Sequence, residues 1–224
     1  MNRFLTSCAL GVLLTAGALA APATAAAPQG AYAQQIAGLE RREGLLPVYV
    51  DKAKGRVLLA LPAPDKDGVA GRYLYQATLR TGFGSAASGL DRGKQAETQV
   101  LAFRRIGGKV VAEFENPRYR ATGGTQEEQA SARNSFATSV VWAAPVAAEA
   151  PDGGLLIDFT SFLTRDAVNA ADSLKRAGEP GFKQVADLTL ADVEKTKVFP
   201  ENIELDAVQT FASDTPGPGA REIA

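Results

Sequence analysis

Hydrophobic residues in the central part of the chain recur in short runs separated by polar or glycine-containing segments. Residues 45–50 and 56–61 are almost wholly apolar and flank the charged segment 51–55, a pattern that predicts a β-hairpin. Pro47 lies in the first run. Because proline has no N–H to donate to a strand ladder, we expect this run at a sheet edge or at the start of a strand.

Alternation of apolar and polar residues predicts further strands. Residues 72–80 place four side chains on one face, namely Tyr73, Tyr75, Ala77 and Leu79. The runs 100–106 and 109–115 flank Gly107-Gly108, and this spacing favours a hairpin with a type I′ turn. Shorter patterns predict strands at 136–142, 155–159 and 203–211.

Helical signals are few. Residues 126–133 are helix formers without an apolar stripe, and residues 161–175 hold one or two turns with Phe162, Val168 and Leu174 turned inward. We therefore expect a mainly β fold, with α+β as the alternative. Antiparallel hairpins would form a sheet or a partly open barrel, with short helices near residues 160–178.

The N-terminus has the order of a secretory signal peptide. Arg3 supplies a positive charge, an uncharged apolar stretch runs to Ala21, and the small-x-small segment 23–25 follows. One alternative is a membrane anchor, but the apolar stretch is short for a membrane span. The other is a lipoprotein, but Cys8 precedes the apolar centre, whereas a lipobox cysteine follows it. We expect a signal peptide over 1–25, a leader over 26–43, a β-rich domain over 44–212, and a linker or truncated end over 213–224, in a periplasmic or secreted protein.

The amino-acid composition limits the kinds of catalytic and metal site that the chain can form. The chain has no histidine, and its single cysteine, Cys8, lies within the signal peptide. Histidine-dependent triads and zinc sites built from imidazole or thiolate are thereby excluded from the mature chain. The net charge of −1 gives no electrostatic reason to expect nucleic acid or an anionic membrane as partner. We expect a non-enzymatic chain without cofactor or metal.

The segment 81–93 is the most distinctive motif. Its glycines permit positive φ angles or a close approach to other groups, as a phosphate or substrate loop requires. It lacks the Lys-Ser/Thr ending of a P-loop. We therefore expect a structural loop that connects two strands, carried by Gly82, Gly84, Gly89, Asp91, Arg92 and Gly93.

Two other groups of residues are weaker candidates. Three aspartates offer oxygen ligands for calcium, namely Asp158, Asp166 and Asp172, but they lack the alternate spacing of a calcium loop. Asp166 is better explained as a helix cap or a solvated charge. Tyr73, Tyr75 and Trp142 would suit a sugar-binding platform. Aromatic residues at strand spacing more often belong to the hydrophobic core.

Several of these segments together resemble a known family. They are residues 44–50 (GLLPVYV), 82–85 (GFGS) with 89–93 (GLDRG), 157–160 (IDFT) with Asp166, and 198–204 (VFPENIE). They resemble the N-terminal region, of unknown function, of secreted bacterial zinc-dependent metallopeptidases of the zincin type. The likeness runs over most of residues 40–217, and the glycine loop and the Phe-Pro-x-Asn segment are its more specific parts.

The resemblance implies an accessory role. In that family a catalytic domain with a His-Glu-x-x-His zinc motif follows further along the chain, and here no residue matches its ligands or catalytic glutamate. We expect a non-catalytic accessory or pro-region whose partner is a zincin catalytic domain, in cis or encoded nearby. Docking would use an exposed strand edge, either the Pro47-containing strand or the strand at 203–211. The alternative is an independent periplasmic binding module for peptide, glycan or envelope components.

The signal peptide makes the first testable prediction. Mass spectrometry of the protein recovered from the periplasm or the medium should show a chain that begins near residue 26, because the signal peptidase cleaves after small-x-small segments. A chain that retains Met1 in the cell envelope would contradict this.

Overall fold

The computed structural model describes residues 29–82, 88–116, 123–135 and 138–215. Within these ranges the chain forms four α-helices: α1 (Gln29–Ile36), α2 (Gln126–Ser135), α3 (Thr160–Leu163) and α4 (Ala170–Arg176). The strands of the same ranges are β1 (Glu40–Arg42), β2 (Val48–Asp51), β3 (Arg56–Leu61), β4 (Val69–Tyr75), β5 (Gln99–Ile106), β6 (Lys109–Glu115), β7 (Ser139–Glu149), β8 (Leu155–Asp158), β9 (Lys183–Gln184), β10 (Leu190–Val198), β11 (Ile203–Val208) and β12 (Phe211–Ala212). None of the described helices is long and apolar enough to cross a membrane.

Eight strands form one antiparallel sheet in the order β1-β2-β3-β8-β7-β6-β5-β4. The remaining strands form two small antiparallel pairs, β10 with β11 and β9 with β12. The expected mainly β fold is thus confirmed, and the short helices α3 and α4 lie in the predicted region near 160–178. Since β1 and β4 are the two outer strands, the large sheet is open.

The predicted hairpins are present, with one difference in the turn. Strand β2 pairs with β3, and β5 pairs with β6 around Gly107-Gly108. Only Gly107 has a positive φ, 58°. A type I′ turn needs a positive φ at both central residues, so the expected turn type was wrong.

The strand predicted at 72–80 is shorter than its alternating pattern. It ends at Tyr75 because the backbone beyond it pairs with the end of the glycine loop. The N–H of Leu79 donates to the Lys94 carbonyl (2.9 Å), and the N–H of Ala96 donates to the Ala77 carbonyl (2.8 Å). Alternation therefore continues into a segment that leaves the sheet.

The two strands expected as docking edges differ from their predictions. Strand β2 lies between β1 and β3, so the Pro47-containing run is not an edge. Pro47 directly precedes the first residue of β2, which is the other position that proline tolerates. The run 203–211 divides into β11 and β12, and each part pairs with a different strand.

The main core lies on one face of the large sheet, called here the inner face. Helix α3 and the β10–β11 hairpin pack against it. Phe159 and Phe162 are buried at its centre with their ring centroids 4.3 Å apart. Phe159 makes edge contacts with Phe103 (5.8 Å) and Trp142 (5.5 Å), so rings from two strands, β5 and β7, meet the pair.

The opposite face is covered at one end by α1. Tyr32 and Ile36 of this helix, which lies within the leader predicted over 26–43, pack on Tyr49, Leu58 and Leu156. Strand β1, from the same segment, pairs with β2. The packed structure therefore begins before residue 44.

This packing predicts that the leader stabilises the domain. Ile36→Ala should lower the free energy of unfolding by about 1–2 kcal/mol, because it removes apolar surface that covers the sheet. Urea unfolding would measure the loss. The exposed Gln35 of the same helix is the control, and Gln35→Ala should change stability by less than about 0.5 kcal/mol. Equal midpoints for both variants would contradict a packed leader.

Candidate docking surface

The tip of the β10–β11 hairpin meets the loop that enters β2. The N–H of Leu45 donates to the Phe199 carbonyl (2.8 Å), and the N–H of Phe199 donates to the Asn202 carbonyl (2.8 Å). A Cβ on Gly44 would lie 2.4 Å from the same Phe199 carbonyl oxygen. Only glycine allows this approach, so two segments far apart in sequence are held in contact.

This junction leaves apolar surface exposed beside a cavity. Leu45 is 39% exposed and Phe199 is 41% exposed. This cavity is an open depression on the surface; its volume is about 530 Å³ and it is lined by Phe199, Pro200, Glu201, Asn202 and Glu204. We call Leu45 together with these five residues the hairpin-tip surface. It combines the exposed Phe199 ring with the carboxylates of Glu201 and Glu204. The Lys197 ammonium lies 3.9 Å from the Glu204 carboxylate.

Polar contacts fix the hairpin to the edge of the sheet. The Lys52 ammonium bridges Glu40 (3.0 Å) of β1 and Glu194 (3.1 Å) of β10. The Arg42 guanidinium donates to the Thr196 carbonyl of β10 and to Glu40. Hydrogen bonds from Arg42 and then Lys52 lower the pKa of Glu40 to about 2. The hairpin-tip surface is therefore carried by a hairpin tied to β1 and β2.

The glycine loop lies elsewhere, against a second small core. A Cβ on Gly82 would lie 2.4 Å from both the Arg92 nitrogen and the Leu90 carbonyl oxygen. Gly89 and Gly93 have φ angles of 60° and 84°. Leu90 is fully buried with residues of α4 and of the β9–β12 pair: Ala170, Leu174, Phe182 and Phe211. Gly84 lies outside the described residues.

Among the described residues of the loop, the polar side chains do not converge on a site. Asp91 and Arg92 are exposed, and the Asp91 carbonyl accepts a hydrogen bond from the Lys94 N–H (3.0 Å). The Lys94 ammonium lies 3.2 Å from the buried Ser173 hydroxyl of α4. That the loop is purely structural stays a prediction, and every contact named here is one that such a loop would make.

Two of the three aspartates weighed as calcium ligands, Asp158 and Asp166, accept hydrogen bonds from different backbone segments. The Asp166 carboxylate accepts hydrogen bonds from the N–H groups of Ala170 (2.7 Å) and Ala171 (3.0 Å), and so caps the start of α4 as expected. Asp158 accepts from the N–H of Thr160 (3.1 Å). Across the described ranges, no group of three or more acidic residues is placed to hold a metal ion.

The aromatic residues weighed as a sugar platform lie at the border of the main core. Tyr73, Tyr75 and Trp142 are all half-buried and pack against core phenylalanines. Arg165 was not predicted from the sequence; it lies over the Phe162 ring, with its guanidinium carbon 4.0 Å from the ring centroid. Phe162 and Arg165 are three residues apart, a spacing that brings side chains together along a helix, and this was the signal in the sequence for their contact.

The sequence family described as "Domain of unknown function (DUF5117)" matches residues 93–223, more than half of the chain. The chain belongs to the DUF5117 family. The DUF5117 match begins at the end of the glycine loop, although β1–β4 before it complete the same sheet. No curated protein and no solved structure matches the chain. The DUF5117 description names no activity.

The glycine loop generates a stability prediction with three graded variants. Gly82→Ala should lower the free energy of unfolding by about 2 kcal/mol or more, because its methyl group collides with backbone. Gly89→Ala has open space and should cost about 1 kcal/mol through its positive φ alone. Gly108→Ala has open space and no positive φ, so it serves as the near-neutral control. Urea unfolding of the three would test this order, and equal stabilities would contradict it.

Proposed function

We propose that this chain is a non-catalytic accessory region of an exported zinc-dependent metallopeptidase of the zincin type. It would dock onto the catalytic domain through the hairpin-tip surface. One observation carries the proposal. Two segments on which the metallopeptidase resemblance rests, 44–50 and 198–204, are joined by the Leu45–Phe199 hydrogen bond and the close approach of Gly44.

The chemistry of the chain supports a role without catalysis. The mature sequence has no histidine or cysteine to hold zinc. In the described residues the carboxylates of β1, β2 and β10 are engaged in ion pairs that fasten the fold. The apolar N-terminus supports export to the periplasm or the medium.

The physical character of the surface supports docking. Exposed apolar rings beside a concavity are typical of interfaces, because burying them on a partner releases water from apolar surface. The surface is also preorganised, since Gly44 and the backbone hydrogen bonds fix the tip before any partner arrives. Less conformational entropy is then lost on binding. The occupant we assign is the zincin catalytic domain, in cis or encoded nearby.

A second function, an independent periplasmic module for peptide binding, is favoured by a different observation. The half-buried Tyr75 ring and the buried Phe162 ring lie close to the Arg165 guanidinium on the inner face. Such a module would not need the hairpin-tip surface.

Co-expression with a zincin catalytic domain of a related metallopeptidase tests the docking proposal. The partner should raise the melting temperature of the chain, because a protein that binds only the native state stabilises it by mass action. Phe199→Ala should weaken binding by about tenfold or more, as expected for loss of a central aromatic contact. Size-exclusion chromatography and thermal melts would measure both effects.

Leu74→Ala is the matched control for this experiment. Leu74 is 81% exposed on the outer strand β4, so its loss should leave binding unchanged. An unchanged melting temperature in the presence of the catalytic domain would contradict docking through the hairpin-tip surface. Equal affinities of Phe199→Ala and Leu74→Ala for that domain would contradict it as well.

A further inference from the structure

Arg165 is placed among aromatic rings at the end of α3. Its guanidinium carbon lies 4.0 Å from the centroid of Phe162 and 6.0 Å from that of Tyr75. Its Nε donates to the Phe162 carbonyl (3.1 Å), and one terminal nitrogen lies 3.5 Å from the Tyr75 hydroxyl. The cation is thus oriented by one backbone acceptor and two rings.

The charge of Arg165 is not balanced by a carboxylate in the described part of the chain. The four other half-buried arginines of the described residues each form an ion pair with a carboxylate: Arg42 with Glu40, Arg56 with Asp51, Arg104 with Glu113, and Arg105 with Glu149. Burial lowers the pKa of Arg165, which reflects the cost of removing its charge from water. A bound anion would offset that cost.

The Arg165 guanidinium lies beside a cluster of aromatic rings. Tyr75 stacks on Phe114 at 5.8 Å and meets the edge of Phe162 at 5.4 Å. Trp142 lies 5.7 Å from Phe162, with its indole N–H donating to Ser161. A ligand that reaches the guanidinium would therefore place its remaining atoms beside rings.

We propose that Arg165 and Tyr75 bind the C-terminal carboxylate of a peptide that ends in an apolar residue. The Nε–H of Arg165 is used by the Phe162 carbonyl, and the N–H groups of its two terminal nitrogens lie in the plane needed for bidentate bonding to a carboxylate. The Tyr75 hydroxyl supplies a further donor, and the partly buried rings of Tyr75, Phe114 and Trp142 accept the terminal side chain. A sugar acid shares the carboxylate, but its hydroxyls need polar partners that these rings do not offer.

This site is independent of docking through the hairpin-tip surface. It concerns other residues, and a peptide ligand requires no catalytic domain. The failure of either proposal leaves the other standing.

Trp142 is the only tryptophan of the chain and provides an intrinsic probe beside the site. Fluorescence titration should give a saturable change with N-acetyl-L-phenylalanine at millimolar concentration. The matched neutral compound, N-acetyl-L-phenylalanine amide, should bind at least about tenfold more weakly, because it lacks the charge that Arg165 recognises. Equal binding of acid and amide would overturn the proposal, as would the absence of a saturable change with the acid.

Variants of the full mature chain complete the test. Arg165→Gln should lower affinity for the acid by about tenfold or more while leaving binding of the amide unchanged. Arg72→Gln, which removes an exposed arginine paired with Glu115, should bind like the parent. Retention of acid binding in Arg165→Gln would refute the site. Glucuronate binding that equals or exceeds that of the acid would identify a sugar acid instead. If Arg165→Gln does not fold, the comparison of acid with amide on the parent decides.

Discussion

The stacked pair Phe159–Phe162 is the contact on which the main core depends. Phe159 directly follows β8, in the middle of the sheet, and its N–H donates to the Val57 carbonyl of β3. Phe162 belongs to α3, so the stack fixes this helix to the inner face. Phe103, Trp142 and Tyr75 reach the pair from three other strands. The inner face is thereby joined to the element that carries Arg165.

Local sequence patterns were sufficient for the fold class and for much of its detail. The runs that became β2 and β3 are separated by a turn of a few residues, and alternation is a property of each strand alone. The same locality explains the errors. Whether β2 is an edge depends on β1, and the length of β4 depends on where residues 94–96 lie. Neither partner is visible in the pattern of the strand itself.

The candidate surfaces were harder to predict because each joins distant parts of the chain. The resemblance drew attention to segments 44–50 and 198–204, but nothing local indicates that Gly44 contacts the Phe199 carbonyl. Asp166 was recognised as a cap because capping acts within one turn of helix. Arg165 was missed because the absence of a carboxylate partner in the described part of the chain can be seen only once its neighbours are known.

The position of β8 has a consequence for how the protein folds. Strand β8 lies between β3 and β7 and pairs with both. Leu58 of β3 pairs with Asp158 of β8, about a hundred residues later in the chain. The N-terminal hairpin therefore has no partner on its β8 side until most of the chain is present. Sequence separation of this kind slows folding, since the entropy of a long loop is lost before its contacts form. A chain passed through a membrane from its N-terminus would keep these strands open to other contacts until residue 158 emerges.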